Sequence, residues 1–83
     1  AEYTMKRPKG LSVRGNVLYL CDDGLKIYDK SNPQNLQLLG HLKGLDTYDV
    51  ISISDDRLIL TGPGYLAQYD VSNPAAPREI SRL

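Results

Sequence analysis

Only one cysteine and one histidine occur among the 83 residues. An internal disulfide is therefore excluded, and so is a metal centre built on clustered Cys and His. No charge of one sign prevails: ten basic and ten acidic side chains cancel to a formal net charge of zero. That balance supplies no electrostatic reason for nucleic acid or an anionic membrane as the main partner. Long apolar runs are missing too. Stretches such as VLYLC at Val17–Cys21 reach about five residues, against the roughly 20 that a membrane-spanning helix requires, so insertion of this chain into a membrane is not expected. No charged-then-apolar secretion leader is visible. Catalytic signatures are equally scarce, with no GxSxG elbow, no HExxH and no phosphate loop.

What is present is repetition. YDKSNPQ at Tyr28–Gln34 returns as YDVSNPA at Tyr69–Ala75, an offset of 41. LSVRGNVLYLC at Leu11–Cys21 matches ISISDDRLILT at Ile51–Thr61, an offset of 40. The one-residue difference falls between Asp22-Asp23 and Gly62-Pro63-Gly64, which marks that position as a loop, because insertions collect in loops. An apolar content of 41% is enough for a packed core, and one small domain is the most that the length allows.

Each copy reads as four short strands. Leu11-Ser12-Val13 and Ile51-Ser52-Ile53 alternate as half-buried strands do. Turn residues follow at Arg14-Gly15-Asn16 and Ser54-Asp55-Asp56. VLYLC and Leu58–Leu60 are apolar on both faces, as a strand covered on both sides must be. Third strands run to Tyr28 and Tyr69, and fourth strands cover Leu36–Leu42 and Arg78–Leu83. No helical period is sustained, and five prolines and seven glycines interrupt the chain. The expected class is all-β: two four-stranded antiparallel blades of the β-propeller type, part of a larger propeller. The expected division is residues 1–9 as the end of a preceding blade and crossover, 10–43 as blade 1 and 44–83 as blade 2. Two repeats bury few faces on each other, so the expected partners are further blades, from other segments or other copies.

The duplicated phrase looks like a structural joint. Asp29 and Asp70 can accept hydrogen bonds from the turn that follows, Ser31 and Ser72 can assist, and Tyr28 and Tyr69 can cover apolar surface. Pro33 and Pro74 fix φ and hold Asn32 and Asn73 extended. Calcium is the rival reading, but each phrase offers a single carboxylate where calcium takes six to eight oxygens, so no metal and no cofactor are expected. Cys21, inside an apolar run, reads as a buried thiol, and His41 in an outer strand as a surface side chain.

A strand ending in Asp, followed by Ser, Asn and Pro every 40 or so residues, resembles the LVIVD repeat. The segments that carry the likeness are GLKIYDKSNPQNLQLLG at Gly24–Gly40 and YLAQYDVSNPAAPREIS at Tyr65–Ser81. Gln68 stands where the pattern has an apolar residue, and the last strand is polar at Arg78-Glu79. The resemblance implies propeller blades of proteins exported to the bacterial cell envelope or surface, often as lipoproteins. It carries no catalytic residues and no shared ligand.

In a four-stranded meander, loops alternate between the two ends. One end gathers the segments that differ between the copies: Arg7 and Lys9, Asp22 and Asp23, and Asp46, Tyr48 and Asp49. Arg7 and Lys9 suit an anionic or hydroxyl-rich ligand, and Tyr48 suits stacking on a sugar or a side chain. Asp22-Asp23 beside Gly24 suits a cation or simply a tight acidic turn. Merely solvated loops look the same. The expected function is a non-enzymatic binding or scaffold module that presents these loops to a protein or glycan. The alternative is part of a propeller enzyme, for example a glycan-active one, whose catalytic residues lie outside this chain.

Overall fold

Residues 10–83 are described by the computed structural model. Among these residues eight strands follow one another without a helix: β1 Leu11–Arg14, β2 Val17–Cys21, β3 Leu25–Asp29, β4 Gln37–Leu42, β5 Asp49–Ser54, β6 Arg57–Gly62, β7 Tyr65–Asp70 and β8 Arg78–Arg82. They form two four-stranded sheets, β1-β2-β3-β4 and β5-β6-β7-β8, antiparallel throughout. The two repeats are thus two meanders, each paired only with its chain neighbours. Arg7 and Lys9 lie outside the described residues, as does the expected end of a preceding blade.

Directly opposed residues of an antiparallel pair share a face. In blade 1, Tyr19 opposes Ile27 and Cys21 opposes Leu25. In blade 2, Leu58 opposes Tyr69 and Leu60 opposes Ala67. These two sets meet in one core with Val50 and Val71. Cys21, Leu25, Ile27, Leu58, Leu60 and Ala67 are completely buried. Sheet-on-sheet burial of this kind accounts for one apolar face of β2 and one of β6, the faces turned into the seam. Burying each large aliphatic side chain contributes about 1.5–3 kcal/mol, so this seam is the main source of stability.

Polar contacts pin the seam at its margins. Where β1 runs against β5, Arg14 Nε donates to Ser52 Oγ at 2.7 Å, and the Ser52 N–H donates to Ser12 Oγ at 3.3 Å. At the opposite margin the Asn73–Ala75 turn of blade 2 lies on Gly40 in β4. A Cβ there would stand 1.9 Å from the Pro74 carbonyl oxygen, so only glycine permits the approach.

The copies are not identical. The pairing of β5 with β6 shifts between Ser52 and Ser54, an irregularity that β1 and β2 lack. Leu11 therefore opposes Leu20, whereas its sequence counterpart Ile51 opposes Ile59. One residue of slip turns a side chain to the other face. The slip points Ile51 away from blade 1, and Leu11 points away from blade 2. Both fourth strands carry a bulge at equivalent positions, between the partners of Ile27/Tyr28 and of Gln68/Tyr69.

Candidate functional site

The end of the molecule that gathers the varied loops is braced from below. β2 turns into β3 through Asp22-Asp23-Gly24, with Asp23 at φ 52° and Gly24 at φ 98°. Asp tolerates the left-handed region better than most residues, because its short polar side chain can bond locally. Thr47, buried in the crossing between the blades, donates its hydroxyl to the Gly24 carbonyl at 2.6 Å. Tyr65 at the start of β7 donates its hydroxyl to the Asp46 carbonyl at 2.6 Å, and the Tyr48 N–H donates to the Thr61 carbonyl at 2.7 Å. His41 Nε2 sits 2.7 Å from the Asp23 carbonyl, which can only accept, so that nitrogen carries the proton. The crossing and the turn are therefore held by hydrogen bonds reaching across strands.

On this platform Asp23, Asp46, Tyr48 and Asp49 are exposed, with 51% of Tyr48 open to water. Asp49 turns one carboxylate oxygen back to the Val50 N–H at 2.9 Å. Asp22 departs from the expectation of a loop ligand. It is fully buried, and its Oδ2 accepts from Lys26 Nζ at 2.8 Å. A carboxylate taken out of water needs a counter-charge, and the tip of the β2–β3 hairpin supplies it four residues later. The hydrogen bond that Lys26 donates to this carboxylate raises the Lys26 pKa, against the effect of burial. Sequence reasoning missed both Lys26 and Thr47. A lysine within the apolar strand LKIYD, four residues after an aspartate, is the visible trace of the first; nothing in the sequence singles out the second.

The repeated phrase lies at the other end. Asp29 Oδ1 accepts from the Ser31 N–H, and Asp70 Oδ1 from the Ser72 N–H, both at 2.8 Å. Asn32 Oδ1 then accepts from the Gln34 N–H at 3.1 Å, and Asn73 Oδ1 from the Ala75 N–H at 3.2 Å. Each phrase is thus two successive side-chain-closed turns. The Asp role is as expected, whereas the Asn acceptor was not anticipated. The Ser31 N–H lowers the Asp29 pKa. Asp70 goes further, to about 2, through the Ser72 N–H and hydroxyl and then Arg78, whose guanidinium stands 3.2 Å away. The two tyrosines diverge. Tyr69 is 5% exposed in the seam and donates to Glu79 at 3.2 Å, while Tyr28 is half-buried on the outward face of blade 1.

Among the described residues, no three His, Cys, Asp or Glu side chains converge as metal ligands. Cys21 is buried and in no disulfide among the described residues. The arrangement can offer an exposed aromatic ring between carboxylates on a braced crossing. Comparison with curated proteins and with solved structures gives no match. The LVIVD repeat model matches residues 8–43 and 61–83, which takes in both SNP turns, β1 to β4, and β7 and β8. With two repeats matched over most of its length and folded as two propeller-type blades, the chain belongs to the LVIVD repeat family.

Proposed function

We propose that this chain is a non-enzymatic binding and scaffold module of the cell envelope, whose varied end receives a protein or glycan partner. The observation that carries the reading is Tyr48, half exposed between Asp46 and Asp49 on a crossing tied through the Asp46 carbonyl, the Thr47 hydroxyl and the Tyr48 N–H. A ring carried on a fixed stretch of backbone loses less conformational freedom on contact than one on a mobile loop. Its face suits a sugar or an apolar side chain, and flanking carboxylates suit hydroxyls or a basic group. Kinship with the LVIVD family is what supports the envelope setting.

Tyr48→Ala tests it. Wild type and variant are titrated against a panel of neutral oligosaccharides and purified envelope proteins. The variant keeps the wild-type melting temperature and loses at least about tenfold in affinity, the loss of a modest aromatic contact. Equal affinity of the two proteins for every partner found, or hydrolysis of a glycan by the chain, overturns the proposal.

A further inference from the structure

The outward face of each blade is the repeat counterpart of a face that is already packed inside the chain. On the inner face of blade 1, Leu25 is fully buried and Leu39 and Leu42 pack on the core. Their counterparts in blade 2, Leu66, Ile80 and Leu83, are 39%, 43% and 90% exposed. The other face behaves alike in reverse. Leu58 and Tyr69 of blade 2 are buried in the seam, whereas their blade 1 counterparts Leu18 and Tyr28 are only half-buried. Beside them Val13 and Leu38 are 52% and 54% exposed, in the row Val13–Leu18–Tyr28–Leu38 that crosses all four strands. Among the described residues no further strand packs on either face, although Leu20 on the blade 1 face is already only 5% exposed.

From this equivalence we propose that a second copy of this chain docks head to tail. The outward face of its blade 1 seats on the outward face of this chain's blade 2 and repeats the internal seam. The occupant is specified because the copy carries the repeat counterpart of the face that blade 2 turns into the internal seam. Two departures set the strength. The slip in β5 brings Ile51, 50% exposed, onto the docking face opposite Leu11 and Val13 of the copy, where the internal seam has Ser12 and Ser52. Against this, Ser81 replaces Gly40, so the copy's Pro33 turn cannot come as near as Pro74 does. Lys26 and Gln68 replace Ala67 and Ile27, which also makes this contact weaker than the internal one. The contact uses different faces on the two partners, so it propagates or closes as a ring.

Sedimentation equilibrium of the whole chain up to about 1 mM, with two single-face variants, tests the proposal. Val13→Lys blocks one face and Leu66→Lys the other; both positions are exposed, and retained folding is checked by circular dichroism. Wild type rises with concentration above the 9.2 kDa monomer. Each variant alone stays monomeric. Their equimolar mixture forms a one-to-one dimer, because each contributes the face that the other lacks. Ser81→Gly restores the closer seat and shifts association to lower concentration. A monomeric wild type, dimers of either variant alone, a mixture that does not pair, or a Ser81→Gly protein that associates no better than wild type overturns it.

Discussion

Gly40→Ala measures how far the two blades depend on one backbone contact. Alanine in an open strand would gain about 0.5–1 kcal/mol over glycine, and Gly40 has no positive φ that would forbid a side chain. The new methyl would nevertheless stand 1.9 Å from the Pro74 oxygen and 2.9 Å from its carbon. Heavy atoms essentially never approach a Cβ within 3.0 Å, so the turn must retreat by at least about 1.1 Å. The obstacle is backbone, held by the Asn73 and Asp70 hydrogen bonds, and it cannot swing aside as a side chain would. Retreat instead parts the margin of the seam. Overpacking of this kind costs about 1–3 kcal/mol; with backbone on both sides the upper half, about 2–3 kcal/mol, applies. A domain of this size has roughly 4–12 kcal/mol in all, and each kcal/mol lowers its melting temperature by about 4–8 °C. Thermal unfolding followed by circular dichroism should therefore show a fall of about 8–24 °C. Gly15→Ala is the control, a left-handed position at φ 57° where an added Cβ would meet nothing within 4 Å, so only the conformational penalty of about 1–2 kcal/mol applies. A Gly40→Ala protein as stable as wild type, or more stable than Gly15→Ala, would refute the reasoning.

Four further outcomes are expected. Thr47→Val keeps the shape but leaves the buried Gly24 carbonyl only the longer bond from the Asp22 N–H at 3.2 Å, and should cost about 1 kcal/mol in urea unfolding. Asp22→Ala removes the counter-charge of Lys26 and should cost about 3 kcal/mol. The raised Lys26 pKa means that the pair contributes fully below 10.5 and fades as pH climbs through the folded value, so Lys26→Met should flatten the alkaline limb of stability. Asp70 has its pKa lowered from 3.8 to about 2, so its contribution is complete above 3.8 and is lost as pH falls toward 2. Asp70→Asn should be less stable than wild type at neutral pH, with the difference closing in that acid window.

Much of the architecture was legible because repetition and patterning agreed. VLYLC shows a central, largely apolar strand directly, and its bounds are those of β2. The SNP phrase announces a turn through Asp, Asn and Pro, whose local chemistry needs no tertiary partner. β5 begins at Asp49, earlier than the apolar alternation from Ile51 suggests. Its extra residues join through pairing with Thr61, and a polar residue at a strand start reads as loop. The slip at Ser52/Ser54 leaves no trace in composition, since a bulge is a matter of backbone register. At the candidate site, exposure of Asp46, Tyr48 and Asp49 follows from their place in a crossing. The fate of Asp22 does not, because burial with Lys26 depends on how the hairpin tip folds back.

The contacts at the two margins of the seam have a geometric consequence. Ser12, Arg14 and Ser52 act as a spacer along one edge, and Gly40 under the Pro74 carbonyl is the thinnest possible spacer along the other. The difference in thickness between the edges determines how steeply one sheet is inclined to the next. A thin outer spacer draws the rims together and keeps that wedge shallow; a thicker one opens it. The absence of a single methyl group thereby acts as a setting of curvature, fixed by one residue of blade 1.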